Sequence, residues 1–111
     1  MIQTFFIPCR LPSLNEMILA ASQRKGKWSQ YAEMKRTYES LIKQAIKHAK
    51  LKPIKGMVWI DYVWVESNKR RDLDNVRCGS KFALDALVAY GILRTDGQAQ
   101  VIGFTDTFRL D

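Results

Sequence analysis

The spacing of apolar residues changes character several times along the chain, and each change marks an expected element. Ile2 to Ile7 (IQTFFI) is rich in β-branched and aromatic residues and reads as a first strand. Pro8, Pro12, Ser13 and Asn15 then mark a loop, which continues as polar and basic sequence through Ser22-Gln23-Arg24-Lys25-Gly26-Lys27. From about Ser29 to Lys50 the period is helical. Tyr31, Met34, Tyr38, Leu41, Ile42, Ala45 and Ala49 recur three and four apart and form one apolar stripe. Lys35, Arg36, Lys43, Lys47 and Lys50 line the remaining surface. Leu51 to Gly56, with Pro53, breaks this helix, and Met57 to Val65 (MVWIDYVWV) is a short, near-continuous apolar run that reads as a central strand. After Glu66, Ser67 and Asn68 comes the segment Lys69 to Asn75 (KRRDLDN), then a second helix from about Val76 to Tyr90, stopped by Gly91 in a C′ position. Thr95-Asp96-Gly97 is a turn, and Ala99 to Phe108 is a last strand or hairpin. The order β-α-β-α-β predicts one α+β domain over residues 1–111, a small sheet with two main helices packed on it.

Composition fits a folded chain: 47% of its 111 residues are hydrophobic and 26% charged, which argues against disorder. Cys9 and Cys78 are too few for a disulfide framework, and His48 is the single histidine, so no Cys/His set for structural zinc exists. A reduced, cytoplasmic protein is expected. The apolar run at the N-terminus stops at Pro8 and lacks a preceding basic stretch, so it reads as neither a signal peptide nor a membrane span. Charge adds the first functional clue. The net charge is +7, and the basic excess lies in the first two thirds of the chain, whereas residues 72–111 are net acidic. A basic part beside a carboxylate-bearing part suits a polyanion held next to a site for cations.

The carboxylates that matter begin with Asp72-Leu73-Asp74. In an extended segment, residues two apart point the same way, and two carboxylates so placed repel unless a cation lies between them. Magnesium takes hard oxygen ligands and commonly uses one or two carboxylates with phosphate oxygens. The bland alternative is a turn, or Asp74 capping the next helix. Lys69-Arg70-Arg71 immediately before the pair suits a phosphate backbone, and Asp96 in the later turn is a candidate third ligand. Lys81, on the second helix, either faces the same cleft and stabilises charge building on a phosphate oxygen, or forms an i,i+4 pair with Asp85.

The series RRDLDN, KFALDAL and GILRTDGQ, with the opening FFIPCRLPSLN, resembles the RusA family of Holliday junction resolvases over most of the chain. The resemblance implies that Asp72, Asp74 and Asp96 bind Mg²⁺ (with Mn²⁺ as a substitute) and that Lys81 assists at the catalytic site. Two departures stand out. Five residues (VRCGS) separate Asn75 from Lys81 where the family often has two, and Thr95 occupies a position where the family often has a second acidic residue. The family implies a homodimer that cuts four-way junctions and other branched DNA in recombination and repair, in the nucleoid or in a phage-infected cell. The metal would position and deprotonate a water and neutralise the leaving oxygen. Arg24, Lys25 and Lys27 in the loop, with Lys69, Arg70 and Arg71, are the candidates for contact with the DNA backbone. Trp59, Tyr62 and Trp64 offer aromatic surface to a core or to a subunit interface. Two rivals remain: a basic DNA-binding module without catalysis, and a nuclease for flaps or forks. No glycine-rich phosphate loop supports an enzyme of small phosphorylated metabolites.

Overall fold

The computed structural model describes residues 1–25 and 28–111, and at Arg24, Lys25 and Trp28 the backbone alone. In chain order the elements are α1 (Leu14–Ser22), β1 (Arg24–Lys25), β2 (Trp28–Ser29), α2 (Gln30–Ala49), β3 (Val58–Glu66), α3 (Leu73–Arg77), α4 (Ser80–Ala89) and β4 (Val101–Leu110). The fold is of the α+β class. β1 and β2 pair antiparallel, and β3 and β4 pair parallel over their whole length, from Val58↔Val101 to Glu66↔Leu110.

α2 follows the expected boundaries closely. Ser29 caps its start by accepting from the Ala32 N–H at 3.1 Å. Lys50, in the left-handed conformation (φ 55°), ends it and donates its N–H to the carbonyls of Ile46 and Lys47. The buried stripe runs through Ile42, Ala45 and Ile46, while Leu41 and Ala49, expected in the stripe, face solvent. α1 and α4 pack on α2, so the core lies mainly among helices. Met17, Ile42, Ile46, Phe82, Ala86 and Leu87 meet there, with Leu11, Ile92 and Leu93. Phe82 is buried between the rings of Tyr31 and Tyr38, at centroid distances of 6.2 and 5.9 Å. Truncating such a ring costs about 3–5 kcal/mol.

Three expectations are corrected. Ile2–Ile7 forms no strand. Phe5, Ile7 and Cys9 alternate inward onto the core, but no ladder forms. Instead, the Gln3 side chain takes both backbone groups of Lys52, accepting from its N–H at 2.7 Å and donating to its carbonyl at 3.0 Å. The segment read as a loop after Pro12 contains α1. Ser13 accepts from the Glu16 N–H and the Glu16 carboxylate turns back to the Ser13 N–H, closing a capping box. The single helix expected over 76–90 is two. The chain tightens through i→i−3 bonds from Gly79 to Val76 and from Phe82 to Gly79. There Gly79 lies so close to Leu11 and Pro12 that an added Cβ would come within 2.9 Å of the Leu11 Cβ. The second helix ends as expected at Gly91, at φ 76°. The observed order thus replaces β-α-β-α-β, and the principal sheet has two strands.

Candidate functional site

The Asp-Leu-Asp segment begins beyond the end of β3. Asn68 accepts from the Arg70 N–H at 2.9 Å and turns the chain. Arg71 then points inward. Its guanidinium makes a two-pronged contact with Glu66, Nε to Oε1 at 2.7 Å and Nη2 to Oε2 at 2.9 Å. Nη1 donates to the Leu11 carbonyl and to Glu16, both at 3.2 Å. With only 10% of its side chain exposed, Arg71 holds β3 to the α1 entrance, which corrects its assignment to the DNA surface. Lys69 and Arg70 remain exposed. Of the other backbone-contact candidates, Lys27 lies outside the described residues, as do the side chains of Arg24 and Lys25.

Asp72 is the N-cap residue of α3 and makes no capping bond with its side chain. Asp74 lies in the first turn and accepts from the Asn75 N–H at 2.9 Å. Asn75 in turn accepts from the Asn15 N–H at 3.0 Å, tying α3 to α1. Because the helix starts at Leu73, the segment is not extended through Asp74, and Asp72 precedes it as an extended N-cap. The extended pair expected at Asp72 and Asp74 is therefore not formed.

Asp96 stands at the other end of the sheet. Its turn is built on Gln100, which is wholly buried. The Gln100 amide donates to the carbonyls of Ile54 (2.6 Å) and Gly56 (3.0 Å) and accepts from the N–H groups of Arg94 (2.7 Å) and Thr95 (3.3 Å). This fixes the turn against the start of β3, whereas Asp72 and Asp74 lie past its end. A nine-residue strand spans about 26 Å. Among the described residues no group of three or more His, Cys, Asp or Glu side chains is placed to hold a metal ion. Asp72, Asp74 and Asp96 thus do not fit a three-carboxylate metal site within one chain. Lys81 is 58% exposed and faces Asp85 at 3.4 Å, the i,i+4 arrangement, with Lys35 at 3.8 Å from the same carboxylate.

Asp106 was not among the expected residues. On β4 it accepts from the Trp64 indole N–H and from Arg77 Nε, both at 2.8 Å. The Arg77 guanidinium lies over the Phe104 ring at 4.5 Å. Tyr62 stacks on Trp64 at 5.6 Å, and burial pushes its phenol up to about 12; Arg77 opposes this and Asp106 adds to it. The sequence signal was there: Asp106 is a polar residue on the half-buried face of an apolar strand, in register with Tyr62. Cys9 and Cys78 are free and half-buried against the core, and burial raises the Cys9 thiol.

Among the described residues no helix is long and apolar enough to cross a membrane. No protein-family model matches the chain, and no curated protein matches it.

Proposed function

We propose that the chain is a magnesium-dependent, structure-selective endodeoxyribonuclease that hydrolyses phosphodiester bonds in branched DNA, four-way junctions foremost, as a homodimer. The reading implies work on the nucleoid or in a phage-infected cell. The observation that carries it is that the motif aspartates are not among the carboxylates tied into the fold by ion pairs, a freedom they share with exposed Glu33, Asp61 and Asp111. Glu66, Glu16, Asp85 and Asp106 each pair with a cationic side chain and hold the fold. Asp72, Asp74 and Asp96, the three singled out by the RRDLDN…TDG series, are exposed and have no ion-pair partner among the described residues. Exposed Lys69 and Arg70 stand next to Asp72 in the chain.

The separation of Asp96 from the other two is compatible with this function if two copies share the site. A two-stranded parallel sheet is marginal by itself, and parallel strands are normally covered on both faces. Here one face leaves Trp59 57% exposed, with Val63 and Val65 beside it. Identical edge strands that pair about a two-fold axis run antiparallel. Such pairing sets the start of β4 in one copy beside its end in the other, which brings Asp96 of one chain toward Asp72 and Asp74 of the next.

The test is cleavage of a labelled synthetic four-way junction beside a linear duplex, in Mg²⁺ and in EDTA. Paired nicks on the junction alone, lost in EDTA, are expected. Asp74→Asn should keep junction binding and lose cleavage, since the amide removes charge and changes little shape; cutting at the wild-type rate would overturn this role. The second reading is a DNA-binding module without catalysis, in which the aspartates, not grouped in threes among the described residues, are structural. It predicts tight junction binding with no cleavage in Mg²⁺ or Mn²⁺. Equal or faster cutting of flaps and forks would redirect the substrate while keeping the chemistry.

A further inference from the structure

The longest stretch of sequence with basic residues and no acidic ones lies away from Lys69 and Arg70. Between Glu39 and Asp61 the chain has five lysines, Lys43, Lys47, Lys50, Lys52 and Lys55, and no acidic residue. These residues supply five of the seven net positive charges. Lys43 is partly engaged, its Nζ lying 5.0 Å from the centre of the Tyr90 ring. The other four are exposed and make no ion pair among the described residues.

Their backbone is braced. Lys47 stands in the last turn of α2, and Lys50 is its left-handed cap, which turns the chain toward β3. Gln3 holds Lys52 through both of its backbone groups. The Ile54 N–H donates to the Ile92 carbonyl at 2.8 Å, Arg94 Nη2 donates to the Lys55 carbonyl at 2.9 Å, and Gln100 holds the carbonyls on either side of Lys55. Four exposed lysines thus stand on a braced stretch of backbone that runs from the end of α2 to the start of β3. Asp96 is the acidic residue in the segments that build this end.

A helix C-terminus favours cations, which accounts for part of this charge. The macrodipole there is equivalent to about half an elementary charge, however, and four lysines far exceed it. Lys52 and Lys55 lie beyond the helix altogether. A surface with four exposed lysines on braced backbone and Asp96 as its one acidic neighbour in these segments suits a chain of phosphates, where each neutralised phosphate releases counterions. An anionic membrane fits less well, because α2 spends its apolar face on the core and leaves no stripe to insert beside the lysines.

We propose that the end formed by the C-terminus of α2 and the approach to β3, with Lys47, Lys50, Lys52 and Lys55, is the surface that grips the nucleic-acid backbone. It rests on the reading that DNA is the substrate, and it puts the main grip at the Asp96 end of the sheet. Binding through it is independent of base sequence and depends steeply on salt.

The experiment measures the affinity of fluorescein-labelled four-way junction and duplex DNA from 50 to 300 mM NaCl. It compares the wild-type chain with Lys47→Ser/Lys52→Ser/Lys55→Ser and with Lys69→Ser/Arg70→Ser; thermal melts confirm folding. Lys50 is kept because its backbone conformation is special. The slope of log K against log salt should fall by about 3 in the triple variant, near 0.9 per lost phosphate contact, with affinity at least tenfold weaker on both DNAs. The Lys69/Arg70 variant should lose less. Wild-type slope and affinity in the triple variant would overturn the inference while DNA as substrate stands. Failure of the wild-type chain to bind either DNA, or binding only to phosphatidylserine vesicles added as a competitor, would overturn both.

Discussion

The two ends of the β3–β4 sheet are pinned by different chemistry. At its start a neutral amide does the work: Gln100, wholly buried, saturates four backbone groups of the two segments that lead into the strands. At its end the pins are ionic. Arg71 clasps Glu66 and reaches Glu16, while nearer the middle of the sheet Arg77 joins Asp106, which also holds Trp64. A neutral pin has no charge for salt to screen, while ion pairs are coupled to every neighbouring charge. The end that carries the lysine surface is thus braced without an ion pair among the described residues. The opposite end spends Arg71 on structure and leaves Lys69 and Arg70 exposed.

The contrast predicts a graded set of effects. Gln100→Leu keeps approximate size but leaves two carbonyls and two N–H groups of this part-buried turn without their partner. It should cost about 4 kcal/mol by urea unfolding, at 1–3 kcal/mol for each unsatisfied group with partial relief, and equally in 0.1 and 1 M NaCl. A loss below 1 kcal/mol would show that solvent reaches that end. Arg71→Met leaves Glu66 with only the looser Arg10 contact at 3.7 Å and should cost about 3 kcal/mol. A double-mutant cycle with Glu66→Gln should give a coupling that shrinks in salt; a salt-independent coupling would erase the distinction between the ends. Smaller still is an alkaline effect at Tyr62. Its raised phenol means the folded chain holds a proton that the unfolded chain releases above about pH 10, so stability falls between pH 10 and about pH 12 and is unaffected below. Tyr62→Phe should flatten that part of the pH profile.

Much of the scaffold was legible because it rests on local signals. The stripe and the flanking Ser29 and Lys50 bounded α2 to within a residue, and the run 57–65 marked β3 to within one. α1 was equally legible in Ser13-x-x-Glu16 followed by Met17 to Ala21, but two prolines and an asparagine drew that segment toward a loop reading. What the sequence could not reveal was long-range substitution. Ile2–Ile7 has the composition of a strand, yet a side chain, Gln3, takes the backbone partners that a ladder would have used. Likewise, nothing local in KRRDLDN says that one arginine turns in and two basic neighbours turn out. That depends on Glu66 and Glu16, 5 and 55 residues away. The Asp-x-Asp argument failed at its premise, extended backbone, because the helix starts at Leu73. Gln100 was invisible as a hub, since a lone glutamine has no periodic signature.

The parallel pairing of β3 with β4 also sets an order of events. Partners such as Ile60 and Phe104 are more than forty residues apart in the chain, and closing a loop of that length costs about 3 kcal/mol in chain entropy before any ladder bond forms. The helices between them must therefore assemble first and carry the two segments into register. Until they do, β3 waits as an unpaired run of Trp, Val and Tyr side chains. The slowest step in forming this molecule should be the docking of its last strand, and a chain halted before that step presents the surface most prone to bind another copy in the wrong register.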